Sequence, residues 1–281
     1  MRGFLAALTG MTALMLVAVS VPALWVDRNL SQRDGFVEMA MSFAEDADFQ
    51  SALSAAIGRE VTDQLQLPSA LSALVQPAVS QAADAILQDP GYPEAWAETL
   101  RRTHDLTVVN PEANANDSKV LNLDIAPLLQ LVATRAGQMV GQDLQVSQQV
   151  LITVGSANQR NAIVRVVGNA AMGWVLILGA ILAFLLSLLV ARRRSAVLIW
   201  FGIGLAVVAG LWKLGLEALS GAALNTAGSN QLGELFKQEY VFIASASMNQ
   251  WILVTCLIAV SLLLAGALTR VISYRRAGLS H

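Results

Sequence analysis

The chain is poor in the residues on which most enzyme chemistry depends. It has one cysteine, Cys256, so no disulfide can form within it, and its fold must be held by burial alone. There are only two histidines, His104 and His281, which leaves no set for a histidine-bound zinc or a pair of haem ligands. Neither G-x-x-x-x-G-K-[ST] nor G-x-S-x-G occurs, nor do H-E-x-x-H or paired C-x-x-C. These gaps argue against the common ATPases, serine hydrolases and metalloproteases, and the expectation is a protein that is not an enzyme and takes no cofactor. Charge is scarce as well: 14% of residues are charged against 55% apolar. That balance lies outside the range of an ordinary soluble domain and offers no basic surface for nucleic acid.

What is present is apolar length. Four uncharged runs are long enough to cross a hydrocarbon core of about 30 Å, which takes roughly 20 helical residues: Phe4 to Val26, Ala170 to Ala191, Ala196 to about Leu216, and about Gln250 to Leu268. Helix is the economical form for each, because backbone in lipid must satisfy its own hydrogen bonds. The first run is too long for the apolar core of a secretory signal, despite the small residues of "VPA" at 21–23, and reads as an uncleaved anchor. The three cations Arg192, Arg193 and Arg194 fill a hairpin too short to be a domain. Short basic loops stay on the cytoplasmic side. Arg2 before the first run and Arg270, Arg275 and Arg276 after the last fall on that same side when the spans alternate.

The expected organisation is therefore a first span at 1–26, an extracytoplasmic domain at 27–169, spans at 170–191 and 196–216 joined by a cytoplasmic hairpin at 192–195, an extracytoplasmic loop at 217–249, a last span at 250–269 and a cytoplasmic tail at 270–281. All acidic residues fall in 27–143 or 217–239, the segments this threading puts outside. Trp25, Trp174, Trp212 and Trp251 each stand near the outer end of a different span, where an indole belt is expected. Trp200 marks the inner face.

Within 27–169 the periodicity is mostly helical. Phe36, Met39 and Phe43, then Phe49, Leu53, Ile57, Val61 and Leu65, recur at helix spacing, with Asp46 or Asp48 as a cap for the second helix. A helix from Ser69 to Leu87 carries Leu71, Leu74, Ala78, Ala82 and Ile86 and is kinked or split at Pro77. After the break "DPGYP", Pro93 opens a helix with Trp96, Leu100 and His104 inward. "LTVVN" and "VLNLDI" flank a polar loop and read as a hairpin, and "VLITV" as a third strand. Ala126 to Val140 is helical with Leu128, Leu129, Val132, Ala136 and Met139 as its buried stripe. A further helix from about Ser156 carries Ile163, Val166 and Val167 toward the second span without an evident break. The fold class is a mainly α membrane protein with four transmembrane helices, a mostly helical outer domain and a small antiparallel sheet.

The stretches "RDGFVEMAMSFAEDADFQSALSAAIGREVTDQL", "YPEAWAETLRRTHDLTVV", "VLNLDIAPLLQLV" and "SANQRNAIVRVV" resemble, in spacing and residue class, a family of actinobacterial integral membrane proteins of uncharacterised function. The resemblance covers most of residues 1–215 and implies a fold and an envelope location rather than a reaction.

The best polar constellation is "RRTHD". Arg101 and Arg102 would contact an anion or headgroup and His104 would carry a proton; the plainer reading is a helix end whose cations complement the dipole. "AEDAD" and "NANDS" supply oxygen ligands for calcium but lack EF-hand spacing, and the same residues serve caps and turns. Lys213 and Glu217 are placed to pair. Gly202, Ala206 and Gly210 form a small-residue face that admits another helix, from this chain or from a partner. No ionisable group stands at mid-depth in a span, which disfavours transport. Two functions remain: an accessory or scaffold subunit of a larger envelope assembly, in the respiratory chain or the envelope-lipid machinery, with membrane lipid and other membrane subunits as partners; or a binding protein for a lipid or other small ligand.

Overall fold

The computed structural model describes residues 2–64, 77–79, 81–83, 85–109, 120–226 and 231–278, with the side chains of 58–64, 231–232 and 273–278 left aside. The longer helices and the two-stranded sheet among them are α1 (Arg2–Val26), α2 (Arg33–Met41), α3 (Ala47–Gln64), α4 (Tyr92–His104), β1 (Leu121–Asp124), α5 (Ala126–Val140), β2 (Leu151–Gly155), α6 (Ala157–Ala170), α7 (Gly173–Val190), α8 (Arg194–Leu224) and α9 (Gln231–Gly278). The protein is a mainly α-helical membrane protein. Four helices are long and apolar enough to cross a bilayer, over Arg2–Ser31, Gly173–Val190, Arg194–Leu224 and Gly233–Ile272.

The chain divides into two compact units. One comprises Met1–Arg28, Gly168–Ala222 and Ala244–His281; the other comprises Asn29–Val167 and Ala223–Ile243. The segment 217–249, expected as a loop, is largely helix, and its central part belongs to the second unit. Phe236 of α9 is buried there, edge-on to Phe43 at 5.2 Å between ring centroids. Its apolar face is spent on a core, so it does not behave as a solvated connection.

In the first unit the helices meet through small residues. Lipid is as apolar as leucine, so association rests on close packing and on hydrogen bonds between helices. Ser187 Oγ of α7 donates to the carbonyl of Ala6 on α1 at 2.7 Å, fully buried. A Cβ on Gly173 would stand 3.0 Å from Leu24 N, so α1 and α7 approach backbone to backbone. On α8 a Cβ at Gly202 would stand 2.9 Å from the carbonyl oxygen of Ala259 on α9, and one at Gly266 of α9 would stand 3.0 Å from Ser195 O.

The second unit has a conventional core. Phe43, Phe49, Leu53, Ile57, Trp96, Leu100, Leu128, Leu129 and Val132 are fully buried, in agreement with the helical spacing of the sequence. Val61, Leu65, Leu71 and Leu74 lie outside the residues whose side chains are described, as do the loop at 110–119 and the chain just before Pro77. Of the two candidate caps, Asp46 caps α3: its Oδ1 accepts the Phe49 amide at 2.7 Å. Met139 departs from expectation and is half exposed, because α5 is in its last turn there and ends at Gly141, whose φ of 68° forms a left-handed cap.

Ser156 and Gln159 open α6 as a reciprocal capping box, with the Ser156 amide donating to Gln159 Oε1 at 2.7 Å and the Gln159 amide to Ser156 Oγ at 3.3 Å. A turn at 171–172 separates α6 from α7, so the helix is not continuous into the span. Val166 is half exposed.

The hairpin expected between "LTVVN" and "VLNLDI" does not form. Asp105–Val109 is a wide helical turn that continues α4, and β1 pairs instead with β2, antiparallel, from Leu121 opposite Gly155 to Asp124 opposite Leu151. The reason is local. α4 runs into this segment unbroken, with the Asp105 amide bonded to the carbonyls of Arg101 and Arg102. Asp124 fixes the alternative pairing: its buried Oδ1 accepts the amides of both Ala126 and Val150 at 3.1 Å, and its own amide donates to Thr103 Oγ1 at 3.1 Å. One residue, through its carboxylate and its amide, thus ties α4, β1, α5 and the residue before β2.

Candidate functional site

The second unit contains a cavity of about 290 Å³. It lies where the wide turn after α4, β1, β2, α6 and the beginning of α9 come together, with Phe36 of α2 also in the wall. Phe36, Leu121, Val154, Ile163, Phe236 and Tyr240 make most of its surface apolar.

The polar side chains in the wall are largely committed to the protein. Thr103 Oγ1 accepts the Asp124 amide, and Gln159 Nε2 donates to Thr226 Oγ1 at 3.3 Å while its Oε1 serves the capping box. Lys237 Nζ donates to the carbonyl of Thr226 and to Glu234 at 2.9 Å. With these groups satisfied, what the cavity offers a guest is shape and dispersion contact rather than a charged anchor.

His104 is the one sequence-predicted site residue that reaches this cavity. Its ring is 2% exposed and stacks obliquely on Phe36 at 5.4 Å. Nε2 lies 3.0 Å from the carbonyl oxygen of Leu30, which only accepts, so Nε2 carries the proton and donates. Nδ1 is enclosed and has no hydrogen-bond partner among the described residues, the nearest carboxylate oxygen, on Asp105, being 3.8 Å away. A ring held this way forms part of the cavity wall.

Arg101 and Arg102 are not brought to His104. Arg101 pairs on its own helix with Glu94 and Glu98 at 3.1 Å, and Arg102 with Glu98 at 2.9 Å and, outside the helix, with the Gln148 carbonyl at 3.0 Å. The Arg102 and Arg101 guanidiniums hold the Glu98 carboxyl below its ordinary range. Arg135 and the Gly91 amide do the same for Asp89, at the turn that opens α4. Among the described residues no three His, Cys, Asp or Glu side chains converge on a possible metal position. Asp46 of "AEDAD" is used as the α3 cap, and "NANDS" lies outside the described residues.

Comparison with protein-family models, with curated proteins and with solved structures finds no match to the chain. The actinobacterial resemblance rests on the quoted stretches alone.

The remaining sequence-predicted residues lie in the first unit. Of the small face on α8, Gly202 is buried against Ala259 and Leu263, whereas Ala206 and Gly210 are exposed; a Cβ at Gly210 would meet nothing within 4 Å. The face that packs is instead Phe201, Gly202, Leu205 and Ala209. It combines steps of three and four residues, which follow the helix stripe better than a strict four-residue step does.

Of the four tryptophans, Trp25 Nε1 donates to Ser247 Oγ at 3.1 Å and Trp212 Nε1 to the Ala18 carbonyl at 3.0 Å. With Trp251 they pack around Ala209, Met248 and Ile252. Trp174 is exposed. Two of the four indole N–H groups are thus spent inside the protein, which fixes helix register rather than facing headgroups.

Lys213 and Glu217 pair at 3.4 Å as expected. Arg192, Arg193, Arg194 and Arg270 are exposed, and the side chains of Arg275 and Arg276 lie outside those described. The cavity itself was not legible in advance. Its wall draws on residues from Leu30 to Val241, and the signals that could have hinted at it were the apolar spacing on α6 and the aromatic pair Phe236 and Tyr240 in a segment expected to be a loop.

Proposed function

We propose that this chain is a membrane protein whose second unit binds an apolar ligand, an acyl or isoprenoid chain being the class that fits. The supporting observation is the cavity of about 290 Å³ with a mostly apolar wall, whose polar side chains, His104 Nδ1 apart, are largely bonded within the protein. Empty apolar space of roughly half that size stays dry and takes up apolar guests. In this reading the unit lies on the extracytoplasmic side, which the basic residues at 192–194 and 270–276 support through the positive-inside rule.

The test uses the full chain in mild detergent and a fluorescent fatty acid as probe. Saturable binding to the native protein is expected, with loss in Ala162→Trp, which adds bulk at an exposed position lining the cavity. Equal uptake by both proteins would show that the probe partitions into the micelle or the spans, and the reading would fall.

A second reading, an accessory subunit of a larger envelope assembly, draws on Ala206 and Gly210, small residues left open on a membrane helix. It predicts that crosslinking in native membranes from position 206 or 210 captures a defined subunit. Crosslinks to nothing beyond lipid would remove it.

A further inference from the structure

A second concavity lies wholly within the first unit. It measures about 670 Å³ and is formed by the N-terminal half of α1, the end of α7 and the start of α8. Gly3, Ala7 and Gly10 line one side, at steps of three and four residues that keep them on one face of α1. Trp200, 71% exposed, lines the other. Arg192 and Arg193 stand at its hairpin end.

These two arginines have no ion pair among the described residues. The carboxylates of their own unit cannot reach them. Asp27 follows the far end of α1 and Glu217 is in the distant part of α8, each on the order of 30 Å along a helix from the groove's charged end at about 1.5 Å per residue. Glu217 is in addition paired with Lys213. Two exposed guanidiniums at the end of an apolar groove, without a counter-ion from the protein, complement a molecule that is anionic at one end and apolar along its length.

We propose that this groove binds an anionic phospholipid, its phosphate between Arg192 and Arg193 and one acyl chain along Gly3, Ala7 and Gly10 against Trp200. Guanidinium is suited to phosphate because its planar N–H fork can donate two parallel bonds. Basic recesses between membrane helices are where anionic headgroups collect. Arg194, the third cation of the hairpin, does not line the groove, so the site is distinguishable from a diffuse basic surface.

Native mass spectrometry of the full chain in mild detergent, titrated with phosphatidylglycerol or phosphatidylcholine of matched acyl chains, tests this. Phosphatidylglycerol is expected to bind about tenfold more tightly or better, since each cation near a headgroup contributes a factor of roughly five. Arg192→Gln/Arg193→Gln should abolish that preference, and Arg194→Gln should keep it. Gly3→Leu, at a position where a Cβ meets nothing within 4 Å, should weaken both lipids by narrowing the groove while leaving helicity unchanged. Equal binding of the two lipids, equal loss in Arg194→Gln and the double variant, or full displacement of phosphatidylglycerol by millimolar inorganic phosphate would each overturn the proposal.

Discussion

Replacing Asp124 by alanine removes a buried acceptor that helps to hold β1 against β2. Asp124 is 3% exposed, and its carboxylate takes the amides of Ala126 and Val150 at 3.1 Å each. Alanine leaves both donors buried and unpaired. At about 1–3 kcal/mol for each lost partner, with partial relaxation, the expected cost is about 3 kcal/mol. That is a large share of the roughly 5–15 kcal/mol that holds a domain together.

The assay is amide hydrogen exchange by mass spectrometry on the full chain in detergent. A 3 kcal/mol loss speeds exchange by more than about a hundredfold, and peptides covering residues 121–129 and 148–155 should show it while α7 does not change. Asp124→Asn keeps an acceptor oxygen in place and should recover most of the protection. Exchange in the alanine variant within threefold of the parent would refute the reasoning, because the two amides would then have partners other than this carboxylate.

Two further outcomes follow from the geometry. Gly202→Ala should lower the melting temperature of the first unit, since its Cβ would press on the Ala259 carbonyl at 2.9 Å, whereas Gly210→Ala, with open space around it, should be neutral or slightly stabilising; a thermal melt in detergent separates the two. Acid should weaken the second unit in a defined window. Asp89 and Glu98 are held below their ordinary values of 3.8 and 4.5 by the Arg135 and Arg102 guanidiniums, so their contribution is present above those values and is lost as pH falls through the lower folded ones. Emission from Trp96, buried in that unit, follows the loss, and Arg135→Gln should remove the Asp89 share of it.

Much of the helical framework could be read from the chain because each helix buries one stripe, and a stripe is a local, periodic signal. Phe49, Leu53 and Ile57 on α3, and Leu128, Leu129 and Val132 on α5, were placed inward by spacing alone and are fully buried. Apolar length marked the spans for the same reason. The β1 partner was missed because strand pairing is a contact between distant residues: "LTVVN" and "VLITV" have equal strand character, and the choice falls to the second because α4 runs on through Asp105–Val109 while Asp124, Ile125 and Asn122 bond to Val150 and Thr153. The paired arginines on α4 show a related limit, since sequence gives their charge but not that Glu94 and Glu98, two turns and one turn back, pair with it.

The sequence by itself determined that this is a membrane protein of four apolar helices, because crossing a bilayer demands only length and the absence of charge, both properties of contiguous residues. Only the tertiary structure decided that Phe236 and Tyr240 close a core with Phe43 and Phe49, that His104 is a wall residue, and that Gly3 of α1 and Arg193 of the hairpin border one groove. Cavities and grooves are bounded by elements far apart in the chain. Their shape comes from how those elements pack, and no run of neighbouring residues carries that information.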